Sequence, residues 1–291
     1  MPVWKAVILG LVQGLAEFLP VSSSGHLVII QKVLGTNLGN GGLFFDVMLH
    51  LGTLAAIFIA FHKDIAKLIT EGVHILTDIF ANICIFFTRI FKSGRTYRHI
   101  IKSSYRKFVM LVIVSTIPTG IIGILLSDAV EAASGMIIVP GICFFITAVF
   151  LVIADVADAG QKKPKEVSYA SAVITGAAQG LSVMPGISRS GTTITACILC
   201  GFDKKFAVKY SFIMSIPAVL GAVVLELKDF TPGIIAKEDI TSCIIAAIVA
   251  AIAGYFSICF MMALVRGKKY KYFAIYCIIA GGIATGYNFL G

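Results

Sequence analysis

The stretch AVILGLVQGLAEFLPVSSSG, residues 6–25, returns 166 residues later as AVITGAAQGLSVMPGISRSG, residues 172–191, with 10 of 20 positions identical and no gap. Each copy is an apolar run broken near its middle by proline, serine and glycine. The arms on either side of the break are too short to cross a bilayer, so each copy reads as a re-entrant helix–loop–helix that enters and leaves by one face. Paired broken helices of this kind place a polar site inside a membrane protein. The copies also differ in charge. The first carries Glu17 and, just beyond it, His26; the second carries Arg189.

Composition agrees with a membrane setting. Of 291 residues, 58% are hydrophobic and 13% charged, with a mean hydropathy of +0.96. A soluble domain carries about 25% charged residues. The net charge of +9 is no sign of nucleic-acid binding, because the basic residues sit in short loops between apolar runs. Seven cysteines lie mostly in apolar stretches and form no disulfide framework, and Cys197-Ile-Leu-Cys200 reads as packing on an apolar helix. The first 25 residues have the outline of a secretion signal, but Glu17 and the internal copy argue that they stay in the mature chain.

Three apolar segments follow the first break, at about 44–61, 108–126 and 136–155. Three more follow the second, at about 207–227, 240–265 and 272–290. Residues 65–91 mix Lys67, Glu71, His74, Asp78, Asn82 and Arg89 with apolar positions, which suits an interfacial helix. That choice decides the architecture: with three spans between the copies they must have opposite orientation, whereas a crossing by 65–91 would make four and leave the copies parallel. The expectation is an all-α polytopic membrane protein with an inverted repeat, each half a re-entrant helix–loop–helix plus three transmembrane helices. The first repeat covers 1–155 (re-entrant pair 1–35), a basic linker 156–170, and the second repeat 171–291 (re-entrant pair 171–201). Nineteen of the 24 Lys and Arg fall in the loop 62–107, the linker, the turn after residue 201 and the segment 266–271. That side is read as cytoplasmic, with both termini and the loops 127–135 and 228–239 outside.

At the second tip, Ser188 or Ser190 can cap the helix that follows Pro185 and Gly186, so its amide dipoles point into the break. Arg189 adds a planar fork suited to two phosphate oxygens. The first tip puts Gln13 and Glu17 on one helix face, with Ser22, Ser23 and Ser24 starting the returning arm and His26 within a turn of them. A carboxylate, hydroxyls and an imidazole beside an anion site are parts for attack on phosphorus. His50, His62, His74 and His99 lack such surroundings and read as structural, with Asp46 and His50 at most weak contributors.

Gln13-x-x-x-Glu17 with Pro-Val-Ser-Ser-Ser-Gly-His26, followed by Pro-Gly-Ile-Ser-Arg-Ser-Gly-x-Thr193, resembles the undecaprenyl-diphosphate phosphatase family of bacterial membranes, also called bacitracin-resistance proteins. The resemblance spans essentially the whole chain. Many relatives have Glu where this chain has Gln13, which leaves Glu17 as the one carboxylate at the tips. The resemblance implies hydrolysis of the C55 polyprenyl diphosphate to the monophosphate in the bacterial plasma membrane, recycling the lipid carrier of cell-wall synthesis. It also implies a divalent cation, Mg²⁺ or Ca²⁺, and a site open to the outer face. In that reading Arg189, Ser188, Ser190, Gly191 and Thr193 hold the diphosphate, with Gln13 and Ser22 beside them. Glu17 positions a metal or acts as base, and either Ser23 or His26 attacks. The rivals are a polyprenyl-phosphate flippase, which needs the anion site but no nucleophile, and a non-catalytic scaffold, which leaves Glu17, His26 and Arg189 without a purpose. Oligomeric state is not fixed by the residues; a homodimer is compatible with them.

Overall fold

In the computed structural model each break falls where the repeat places it. It describes residues 1–36, 42–89, 96–134, 136–228, 237–265, 267 and 269–290. Helix α1, Val3–Phe18, ends at the Leu19-Pro20 break, and α2, Ser23–Val33, starts directly after it. Lys5 Nζ donates to Leu34 O at 2.5 Å, so α2 returns to the end from which α1 enters. The second hairpin is α8, Tyr169–Leu181, and α9, Arg189–Leu199. Lys162 Nζ, ahead of α8, donates to Cys200 O beyond α9 at 2.9 Å, which closes this hairpin the same way.

The remaining helices are α3 (Gly42–Ala60), α4 (His62–Arg89), α5 (Ser104–Leu125), α6 (Ser127–Ser134), α7 (Ile138–Val156), α10 (Lys204–Lys228), α11 (Lys237–Leu264) and α12 (Tyr270–Leu290). No strand occurs among the described residues. Five helices there are long and apolar enough to cross a membrane, α4, α5, α7, α10 and α11, and the apolar part of α3 is slightly shorter. The chain is therefore an all-α polytopic membrane protein. The six expected apolar spans correspond to α3, α5, α7, α10, α11 and α12, with ends shifted by a few residues. Helix α6 occupies what reads in the sequence as a plain loop. Most of the expected loop 228–239 and the basic residues Lys92, Arg95, Arg266 and Lys268 lie outside the described residues.

The hairpins are held by close backbone approach. Lipid gives no hydrophobic drive between helices, so interfaces depend on small residues. A Cβ added at Gly10 or Gly14 of α1 would lie 2.6 Å from Ala246 O or Ala250 O of α11. At Gly176 and Gly180, the same positions one repeat later on α8, it would lie 2.1 Å from Ser115 O and 2.6 Å from Ile122 Cβ of α5. The first arm of each hairpin thus packs on a long helix of the opposite half of the chain. Gly176→Leu is expected to cost more than about 3 kcal/mol through overpacking, with Gly120→Ala as a neutral control. Thermal denaturation in detergent measures it.

Helix α4 carries acidic side chains at heptad spacing. Asp64 accepts from Tyr105 and Lys209, both at 2.9 Å. Glu71 accepts from Ser103 and Arg106, both at 2.8 Å. Asp78 accepts from Arg106 at 2.6 Å, Lys102 at 3.1 Å and Arg98 at 3.2 Å. Ile69, Leu76, Phe80 and Phe87 on the opposite face are exposed.

Candidate active site

The two tips meet. Ser22 caps α2 and accepts from Gly25 N at 3.4 Å, while Ser188 caps α9 and accepts from Gly191 N at 3.1 Å. These pairs occupy matching positions of the repeat. Between cap and glycine, at a second pair of matching positions, stand Ser23 and Arg189. The sequences therefore diverge where one tip needs a hydroxyl and the other a cation. Arg189 Nη2 donates to Glu17 Oε1 at 2.6 Å across 172 residues of chain. Ser23 Oγ donates to Glu17 Oε2 at 2.5 Å, and Gln13 Nε2 donates to the same oxygen at 3.1 Å. Glu17 is 7% exposed. A carboxylate at this depth is tolerable only with such partners. Arg189 Nη1 is buried and has no hydrogen-bond partner. An orphaned guanidinium donor beside a cavity is a ready contact for an anion.

The cavity beside these groups has a volume of about 410 Å³ and is lined at its polar end by Glu17, Ser22, Ser23, Ser24, Ser188 and Arg189. It continues past Thr119, Gln179 and Ser182 to an apolar wall that includes Val130, Val219, Val223 and Leu225. That is the shape expected for a polar head joined to a hydrocarbon tail.

Other expected site residues stand behind this surface. Gln13 is fully buried and acts on Glu17 from the rear. Ser190 Oγ donates to Leu19 O at 3.2 Å, which ties the tips together. Thr193 Oγ1 pairs with Ser211 Oγ at 2.5 Å and donates to Arg189 O at 2.7 Å. Gly191 supplies its amide to the Ser188 cap. His26 does not line the cavity. Its Nδ1–H donates to Ser22 O at 2.6 Å, its Nε2 accepts from Tyr276 OH at 2.7 Å, and its ring stacks on Tyr276 with a centroid distance of 5.6 Å. Ser22 has φ +67°, a conformation uncommon for a residue other than glycine. His26 thereby braces a strained backbone next to Ser23. His50, read from sequence as structural, does line the cavity, as do Gln179 and Thr119. The repeat contained a signal for Gln179, since it matches Gln13.

The donor set does not build a resident metal site. Glu17 is the single carboxylate at the tips and both its oxygens are engaged. No group of three or more His, Cys, Asp or Glu suited to a metal occurs among the described residues. Mg²⁺ or Ca²⁺ titrated calorimetrically into substrate-free protein is expected to show no tight stoichiometric binding.

Taken together, this is an all-α membrane protein in which a guanidinium, a carboxylate and a serine hydroxyl meet at two helix starts, a donor set suited to a phosphoryl group. Comparison with known proteins sharpens this. Residues 6–283 match the family described as Bacitracin resistance protein BacA, and the chain belongs to that family. It is 41% identical to the undecaprenyl-diphosphatase of Methanosphaera stadtmanae, over 97% of this chain and 96% of that one. With the undecaprenyl-diphosphatase of Alkaliphilus metalliredigens it shares 36% identity over the full length of both. With that of Methanobrevibacter smithii it shares 38%, over 97% and 96%.

Proposed function

We propose that this protein is an undecaprenyl-diphosphate phosphatase, which converts the C55 prenyl diphosphate to the monophosphate and inorganic phosphate. The observation that carries the reading is the Ser23–Glu17–Arg189 constellation, with its orphaned Arg189 Nη1, at the polar end of a cavity with an apolar wall. Arg189 and the α9 start hold the terminal phosphoryl group, and the α2 start faces the same charge. Ser23 Oγ attacks the terminal phosphorus as its proton passes to Glu17 Oε2. The bond from that phosphorus to the bridging oxygen breaks and prenyl phosphate leaves, carrying off the proton that Glu17 took from Ser23 and so restoring the carboxylate. Water then attacks the phosphoserine, Glu17 taking and returning the proton, and phosphate is released. His26 positions Ser23 through the Ser22 carbonyl. The flippase alternative gives the short Ser23–Glu17 contact no task.

The orientation belongs to the same proposal: an inverted repeat in the plasma membrane, basic side cytoplasmic, both termini and the cavity mouth outside. Three observations support it. Phe61 at the end of α3 meets Phe212 near the start of α10, with ring centroids 6.3 Å apart, as antiparallel equivalents require. Asp64, Glu71 and Asp78, spread over about 21 Å of helix at 1.5 Å per residue, all find partners in residues 98–106 and Lys209. Those partners cluster at the starts of α5 and α10, so α4 lies across one face with its apolar side toward lipid. The cavity lining reaches Ser127, Val130 and Leu225, beyond the end of α5 and near the end of α10. Single cysteines placed at Lys163 and Ala132, in a chain otherwise free of cysteine, are expected to label from the cytoplasm and from outside respectively; the reverse would overturn the orientation.

The direct test is phosphate release from undecaprenyl diphosphate by purified protein in detergent. Turnover is expected, and its absence with folded protein would refute the reading.

A further inference from the structure

His50 is not one of the residues the tip motifs single out, yet its ring forms part of the cavity wall. It sits on α3, one helix away from both tips. Its Nδ1 lies 3.2 Å from Gln13 Nε2, which is also 3.1 Å from Glu17 Oε2. This geometry settles where the protons are. An ionised Glu17, held by Arg189 at 2.6 Å, accepts only, so the Gln13 atom facing it must be the amide nitrogen. The two amide hydrogens then point at Glu17 Oε2 and at His50 Nδ1. His50 Nδ1 is therefore the acceptor, and in the neutral ring the proton sits on Nε2. Among the described residues Nε2 has no hydrogen-bond partner and is not fully buried, and His50 lines the cavity. Gln13 Oε1 is buried without a partner, a cost consistent with the amide being held in this orientation by its two acceptors.

We propose that His50 is a substrate-binding residue whose Nε2–H donates to a phosphoryl oxygen of the diphosphate, and that Gln13 is the positioning residue holding it in that tautomer. The inference rests on the phosphatase reading above and extends it by a third donor, from a third helix. Arg189 supplies charge, the helix starts supply dipoles, and His50 supplies a neutral N–H whose direction Gln13 sets. A neutral donor stabilises charge that develops on an oxygen without the desolvation penalty of a second buried cation.

The test compares full-length wild type, His50→Ala and His50→Gln in detergent. One arm reads phosphate release from a prenyl diphosphate. The other reads NMR of protein carrying ¹⁵N-histidine, before and after adding inorganic pyrophosphate. His50→Ala is expected to lower kcat/KM about 100-fold, the effect of losing one aligned donor, while His50→Gln, whose amide still donates, stays within about tenfold of wild type. The His50 ring is expected to show the neutral Nε2–H tautomer and to shift when pyrophosphate binds. Alanine activity within about twofold of wild type would overturn the proposal. So would a glutamine variant as impaired as alanine, an Nδ1–H tautomer, or resonances indifferent to pyrophosphate. Wild type that binds pyrophosphate through His50 but releases no phosphate would refute the phosphatase reading and leave the donor standing.

Discussion

Ser23→Ala protein is expected to release phosphate from a prenyl diphosphate at less than about 10⁻⁴ of the wild-type rate, the scale of losing a nucleophile. The serine hydroxyl is buried against Glu17 Oε2 at 2.5 Å, and no other hydroxyl at the tips contacts that carboxylate. Ser22 is spent on the α2 cap and Ser188 on the α9 cap. Alanine at position 23 removes one hydroxyl from a site otherwise intact, so the variant is expected to stay folded and to retain prenyl diphosphate binding. A steady-state assay with a binding measurement separates lost chemistry from lost affinity.

Arg189→Ala is expected to reduce release at least about 1,000-fold, more than a single neutral donor is worth, because charge and fork disappear together. Part of that loss is structural. It strands Glu17 as an unpaired buried carboxylate, a penalty of about 3–5 kcal/mol. Arg189→Lys separates the two effects: the charge on Glu17 is kept and the bidentate geometry is lost, so stability should recover more than turnover does. Glu17→Ala is expected to abolish release as well, since it takes away the proton acceptor of Ser23 and the counter-ion of Arg189 together. Near-wild-type turnover by Arg189→Ala or Glu17→Ala would remove the role assigned to that residue.

Much of this architecture was legible before any coordinates. The repeat marked both hairpins, because its arms are too short to cross a bilayer and the Pro, Ser and Gly between them end one helix and start the next. A lone Glu17 and a lone Arg189 in lipid each call for a counter-charge, and the partner each finds is the other, at 2.6 Å. What could not be read was the side of its helix on which each tip residue sits. His26 turns to Tyr276 and Phe144, which approach only after α12 and α7 pack beside α2. Thr193 turns to Ser211 because α9 is buried on every side, so its hydroxyl must find a partner within the bundle. His50 faced the opposite problem. Asp46, one turn earlier, is the one charged residue near it in the chain and marks a site only weakly, and its neighbour Gln13 arrives from another helix. The stretch 65–91 stayed ambiguous because acidic residues at heptad spacing leave an apolar face long enough to pass for a span.

The account turns on one hydroxyl of one tip acting on a phosphoryl group held by the arginine of the other. Acid-quenching wild-type protein during turnover of a prenyl diphosphate labelled in its terminal phosphate tests this most directly. The expected result is label on Ser23, none in Ser23→Ala protein, and slower labelling in Arg189→Lys. Label on another residue, or wild-type release from Ser23→Ala protein, would contradict it.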